Sequence, residues 1–239
     1  MPRRIIDLSM RVHNDMVGFP RVVRPSIAMY ETWEESAKSL GAAKYGVTQL
    51  PATCIIVVGD HIGTHMDAMR HMNPDAPGAE SIPLEYCYGD GVVLDFRHLP
   101  KGAGISVDDM KAALHKINYT LKPLDIPLIF TGAGAIQDSQ AYLTDHVGMT
   151  AESTNWMLDQ GVKVSGIDAI TFDPPVWAMF ERKKFWEAHK VMCSREYYHL
   201  ENMTNLDKLP PYGFTLSVFP VKWHNTTGAP VRAVAIIED

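Results

Sequence analysis

Gly59-Asp60-His61-Ile62-Gly63-Thr64-His65-Met66-Asp67-Ala68-Met69-Arg70-His71-Met72-Asn73 is the stretch on which the reading of this chain turns. Three of the ten histidines in 239 residues, His61, His65 and His71, fall within it, with Asp67 among them. The pattern is H-x-G-T-H-x-D-x-x-x-H. Neutral imidazoles together with a carboxylate are a donor set for zinc, manganese or iron(II). The spacing of His61 and His65 is that of helical metal sites, but Gly63 and Thr64 lie between them and disfavour a helix. Immediately upstream, Thr53-Cys54-Ile55-Ile56-Val57-Val58 is an apolar, β-branched run that reads as a buried strand. The stretch therefore reads as a loop that leaves a strand end and coils around one ion, with His61, His65 and Asp67 as ligands. His65 and Asp67 are two positions apart and share one side of an extended chain. His71 reads either as a further ligand or as a base beside the ion, where an imidazole can shuttle the proton of an activated water.

Working outward, Ile5-Ile6-Asp7-Leu8-Ser9 reads as a short strand, and residues 30–44 as a helix or ordered loop. Residues 73–90 read as irregular, with a helical piece near Leu84-Glu85-Tyr86. The second half is more regular. Strands are expected at 91–96, 126–131 and 162–167. Between them lie helices from Ser106 to about Ile117 and from Thr150 to about Gln160, the first opened by Ser106 with Asp109 and the second closed by Gly161. A helix is expected over 178–192, and strands near 198–200, 214–219 and 231–237. Alternating strands and helices over 91–167 imply parallel pairing, and the strand-rich ends imply a mixed sheet. No internal repeat or linker is visible, so one α/β domain is expected.

The formal charge is −6, and no basic tract is present, which argues against nucleic acid or an anionic membrane as partner. No apolar run approaches membrane-spanning length, and the N-terminal residues lack the apolar core of a secretory signal. Cys54, Cys87 and Cys193 are scattered, with no C-x-x-C, as suits a reducing compartment. A cytoplasmic protein with a small-molecule substrate is expected. The thirteen methionines read mostly as core filler. Met66 and Met69 stand apart because they lie inside the proposed site. With Phe19 they suggest a partly apolar substrate pocket, to which Phe172 and Trp177 add aromatic surface.

The sequence resembles the metal-dependent cyclase and kynurenine formamidase-like hydrolase superfamily, which includes arylformamidases and isatin hydrolases. Residues 61–71 match its H-x-G-T-H-x-D-x-P-x-H signature except that Met69 stands for the proline. Asp7-Leu8-Ser9 resembles the family's opening segment, Phe19-Pro20 its Trp-Pro, and Gly166-Ile167-Asp168 a conserved strand end. Leu200-Glu201-Asn202 with Leu206-Asp207-Lys208-Leu209-Pro210, then Pro220-Val221-Lys222 and Gly228-Ala229-Pro230-Val231-Arg232-Ala233, resemble its closing segments.

The resemblance implies a mixed sheet of the swivelling β/β/α, cyclase-like type. It also implies one or two divalent ions per subunit, Zn2+ or Mn2+, and assembly as a homodimer or homotetramer. His61, His65 and Asp67 would bind the first ion; Asp67 would bridge to a second, completed by His189 and Glu201; His71 would be the general acid/base. Taken alone, His189 and Glu201 carry no signal. The implied reaction is hydrolysis of an amide, formamide or lactam C–N bond. Lactone or carbamate hydrolysis and a cyclase or dehydratase activity are alternatives, and an inactive metal-binding oligomeric module is an alternative of another class. Departures lie where a substrate would sit: Met69 for proline, Phe19 for tryptophan, and Arg21 where arylformamidases have glycine.

Overall fold

The computed structural model describes residues 3–238. In chain order its elements begin with β1 (Arg3–Asp7), β2 (Ser26–Glu31), α1 (Trp33–Ser39), β3 (Thr53–Val57), β4 (His65–Asp67) and β5 (Tyr88–Asp95). Then come β6 (Gly104–Ile105), α2 (Val107–Lys116), β7 (Ile126–Phe130), β8 (Gly148–Met149), α3 (Ala151–Asp159) and β9 (Val164–Ile167). The last are α4 (Val176–Arg182), β10 (Tyr198–Glu201), β11 (Phe214–Ser217), β12 (Gly228–Pro230) and β13 (Val234–Glu238). Single 3-10 turns include Met69–His71, Leu84–Tyr86 and His189–Cys193.

Nine strands form one mixed sheet in the order β1-β13-β11-β5-β7-β9-β10-β4-β12. The middle, β5-β7-β9-β10, is parallel. The strands on either side pair antiparallel. All of β7 is buried, as a strand covered on both faces requires. Alternation sends Ile129 into one apolar cluster and Leu128 into another. The first cluster packs Leu94, Ile129 and Ile167 against Met110 and Leu114 of α2 and Met157 and Leu158 of α3. The second brings Met66 and Ala229 from one end of the sheet together with Leu216 and Ala235 from the other, around Leu128 and Leu200. The sheet therefore curls, and its two ends close over a shared core. The result is the expected single α/β domain with a mixed sheet.

Local chemistry accounts for several boundaries. Ser106 and Asp109 make a reciprocal capping box at α2, and Thr150 and Ser153 do the same at α3. Arg232 grips Asp7 in two parallel bonds, Nε to Oδ1 at 2.9 Å and Nη2 to Oδ2 at 2.7 Å, so the opening and closing segments of the chain are tied together.

Two expectations are corrected. The run expected as a buried strand is exposed along β3, which pairs only with β2 in a separate two-stranded ribbon. An apolar, β-branched run has the same composition in a core strand and in an exposed ribbon, because composition does not report what lies against it. The helix expected over 178–192 ends at Arg182. The chain then passes through Lys183 and Trp186 at φ of 56° and 49°, left-handed values that stop a helix. Residues 30–44, expected as a short helix or ordered loop, hold the short helix α1 between the end of β2 and a 3-10 turn. No helix of the described residues is long and apolar enough to cross a membrane.

Candidate metal centre

The centre is built on one strand pair. β4 and β10 run antiparallel, with His199 opposite Asp67 and Glu201 opposite His65. Alternation turns these four side chains to one face and sends Met66 and Leu200 into the second core. All four are buried. Asp67 sits in the middle, fully buried. Its Oδ1 faces His61 Nδ1 at 2.8 Å and His65 Nε2 at 3.1 Å. Its Oδ2 faces His199 Nε2 at 3.2 Å, His189 Nε2 at 3.4 Å and His71 Nε2 at 3.9 Å. Glu201 Oε1 lies 3.3 Å from His189 and 3.4 Å from His199, and Oε2 lies 3.7 Å from His65.

The structure thus places His61, His65, Asp67, His71, His189 and Glu201 in one cluster. Two subsets have ligand atoms within 4.8 Å of one another: Asp67, His189, His199 and Glu201, and His61, Asp67 and His71. Asp67 belongs to both. The histidines do not all leave a strand end in a loop: His65 and Asp67 lie on β4 itself, inside the sheet. His199 is the member that sequence reasoning missed. A signal was present, since His199 stands two positions before Glu201 in a strand and must share its face. Phe172 stacks on the His199 ring, with centroids 4.4 Å apart.

A layer of supporting bonds sets the imidazoles. Nδ1–H of His189 donates to Asp173 Oδ2 at 2.6 Å, and Nδ1–H of His65 donates to the Gly63 carbonyl at 2.8 Å, so both rings turn Nε2 inward. Gly63 has φ 66°, and a Cβ there would lie 2.6 Å from Val12 Cγ2, so only glycine presents this carbonyl. The Thr64 hydroxyl donates to the Asn202 carbonyl at 2.5 Å and accepts from Met10 N at 2.9 Å, locking the start of β4. Thr227 gives its hydroxyl proton to Asp60 at 2.7 Å and accepts from His61 Nε2 at 2.8 Å.

This donor set fits a divalent ion. His65 Nε2, His199 Nε2 and Asp67 Oδ2 are buried without hydrogen-bond partners. Buried polar atoms left unpaired are costly, and a cation at their meeting point satisfies all of them. Imidazole and carboxylate donors without thiolate suit zinc, manganese and iron alike. Burial would raise Asp67, but the surrounding imidazoles outweigh it and hold the carboxyl well below its usual range. Burial and the nearby Asp67 would raise Glu201, but the imidazoles of His189 and His199 beside it outweigh them and hold it below its usual range. Burial drives His71 down to about 4, so its imidazole is neutral near pH 7.

The cluster opens onto a cavity of about 540 Å3 whose lining includes Phe19, His61, His71, Met72, Thr171 and Trp186. Of the residues expected to meet substrate, Phe19 lies on this wall, with its ring edge-on to Trp186 at 6.4 Å. Met66 and Met69 are corrections. Met66 is wholly buried in the second core because strand alternation turns it away from His65 and Asp67, and Met69 packs against that core as well. Met72 is the methionine on the cavity. Phe172 is buried behind His199, and Trp177 donates Nε1–H to the Thr144 carbonyl away from the cavity. A larger cavity, about 640 Å3, lies beside the ribbon, lined in part by Arg11, Ile56, Trp223 and Arg232, and it holds none of the clustered imidazoles.

Comparison with known proteins places the fold. A kynurenine formamidase of Paracidovorax citrulli is 27% identical over 243 residues, covering 98% of this chain and 96% of that protein. An isatin hydrolase bound to the product analogue thioisatinate superposes with a TM-score of 0.84 at 19% identity, covering 99% of this chain and 93% of that one. Isatin hydrolase A from Labrenzia aggregata, bound to benzyl benzoate, superposes with a TM-score of 0.83 at 21% identity, covering 99% and 94%. The curled sheet is thus the fold of these hydrolases, the cyclase-like type expected. The family model Cyclase, described as "Putative cyclase", matches residues 6–174 and so takes in the whole H-x-G-T-H-x-D stretch. By that match across most of its length, the chain belongs to the Cyclase family.

Proposed function

We propose that the chain is a metal-dependent hydrolase that cleaves an amide, formamide or lactam C–N bond of a small molecule. One observation carries the reading: Asp67 is ringed by five imidazoles, with Glu201 beside three of them, at the end of an aromatic-walled cavity. The relatives bear the names of a formamidase and of isatin hydrolases, which belong to that class of reaction.

His61, His65, Asp67, His189, His199 and Glu201 would hold one or two ions, zinc or manganese. A bound ion supplies Lewis acidity toward a carbonyl oxygen and lowers the pKa of water. His71 has a different task. It is the most exposed imidazole of the cluster, 31% at its side chain, it stands on the cavity wall, and its Nε2 is the farthest from Asp67. Neutral near pH 7, it takes a proton from the attacking water and returns it to the departing nitrogen. Asp173, Gly63 and Thr227 hold the rings of His189, His65 and His61 so that this geometry is ready before substrate arrives.

A lactone or carbamate would meet the same groups, and the names of the relatives favour the C–N bond. The test is metal analysis with an activity screen of the metal-loaded protein on N-formylkynurenine, isatin, lactones and carbamates. Turnover of an amide or lactam is expected. Bound metal with no turnover of any of these would move the chain to the class of inactive metal-binding modules.

A further inference from the structure

The cavity wall contains a strained turn. Phe19, Pro20, Arg21 and Val22 form a β-turn closed by Val22 N–H donating to the Phe19 carbonyl at 3.1 Å. Pro20 stands at its second position and Arg21 at its third, with φ 82°. Proline followed by positive φ is the type II arrangement, whose third position is suited to glycine or asparagine. An arginine there carries strain that glycine would relieve. Backbone strain of this kind, kept at a cavity, points to a side chain that is used.

Arg21 lines the cavity, and so does Lys190 from the turn that carries His189. The lysine and arginine ion pairs of the described residues lie elsewhere and involve neither. Glu201 is the one carboxylate on this wall among the described residues, and it is engaged with His65, His189 and His199. Thr171 also lines the cavity. It is 2% exposed, and its Oγ1 has no hydrogen-bond partner. The wall therefore offers an aromatic surface where Phe19 packs edge-on against Trp186, two uncommitted cations and one uncommitted buried hydroxyl.

We propose that this cavity selects aromatic substrates bearing an anionic group, a carboxylate in the first instance, which Arg21 and Lys190 bind. The Thr171 hydroxyl holds a polar atom of the same molecule by hydrogen bond. A planar guanidinium forks onto a carboxylate, and an ammonium adds a point charge to the same group. The inference deepens the hydrolase reading by naming the substrate class, and its binding claim is testable without turnover.

The test is calorimetric binding of 2-, 3- and 4-carbamoylbenzoate and of neutral benzamide to the metal-loaded protein, at low and high salt. At least one anion is expected to bind about tenfold tighter than benzamide at low salt, with the advantage shrinking as salt rises. Arg21→Gln and Lys190→Gln should each remove about threefold of that advantage, and the double variant all of it. Arg21→Gly, which suits the φ of the turn, serves as a second variant that keeps the fold. The proposal is overturned if no anion outbinds benzamide, or if the preference survives in the double variant. Turnover is read separately, on N-formylanthranilate and its methyl ester. Selective binding without turnover of either, or of any compound in the activity screen, would sink the hydrolase reading and leave this one standing. Equal turnover of both, with no preference in binding, would do the reverse.

Discussion

Asp173 Oδ2 accepts the Nδ1–H of His189 at 2.6 Å, and both side chains are buried. Asp173 also accepts the backbone N–H groups of Ala188 and His189, at 2.9 Å and 3.1 Å. One carboxylate thus fixes the position, the tautomer and the ring angle of an imidazole that faces both Asp67 and Glu201. Asp173→Ala should weaken metal binding by about 10–100-fold, the usual cost of losing such an orienting partner. Competition against a graded series of chelators measures it. Retention equal to that of the wild type would mean that Asp173 supports the turn alone.

His71 and His199 should separate cleanly. His71 is the partly exposed ring on the cavity wall, whereas His199 is fully buried between Asp67, Glu201 and Phe172. His71→Ala is expected to keep its metal and lose about 10²–10⁴-fold in kcat, the contribution of a positioned acid/base. His199→Ala is expected to lose metal. Elemental analysis of both variants beside a rate assay decides the assignment, and metal loss in His71→Ala would make His71 a ligand.

Met66 lies between two ligating positions in sequence but faces the second core. Met66→Leu, which nearly conserves volume, should cost less than about 1.5 kcal/mol, and Met66→Ala about 2–5 kcal/mol through the cavity it leaves. KM should hold in the leucine variant. A changed KM in Met66→Leu with unchanged stability would return Met66 to the substrate pocket.

His146 is buried, with Nε2 unpaired, and burial lowers its pKa below the ordinary 6.5. The unfolded chain takes up a proton at this position before the folded one does. Its contribution to stability is complete above the unfolded pKa and is lost as pH falls from there through the lower folded value. The unfolding free energy of the wild type should therefore fall more steeply between about pH 7 and pH 5 than that of His146→Gln. Denaturant titrations at several pH values provide the two slopes. Parallel slopes would show that His146 is not held neutral in the fold.

The legible parts of this protein were those in which a local pattern has a single structural meaning. Ser106 with Asp109 and Thr150 with Gly161 mark helix ends, and β7 is readable because a buried parallel strand is a continuous apolar run. The exposed ribbon was misread because Ile55, Ile56 and Val57 have the composition of a core strand and lie on the surface. The end of α4 at Arg182 was not visible because Lys183 and Trp186 adopt left-handed φ without being glycine or asparagine. His199 was passed over because one histidine in a strand looks alike whether it packs in a core or faces a metal. Met66 departs from its expected place on the substrate pocket because it neighbours His65 in sequence but not in space: a strand sends neighbours to opposite faces.

The sequence by itself determined the α/β class, the donor chemistry of the stretch from His61 to His71 and, through resemblance to a known family, the pairing of that stretch with His189 and Glu201. These follow from residue types and short spacings, which the chain carries whatever it packs against. The tertiary structure alone decided that β4 lies beside β10 in a register that sets His199 against Asp67 and Glu201 against His65, and that Phe19, Arg21, Trp186 and Lys190 share one cavity wall. The reason is physical. A one-residue slip in that register would turn every ligand on β4 or β10 to the wrong face, and the register is held by the curl of a nine-stranded sheet around its core.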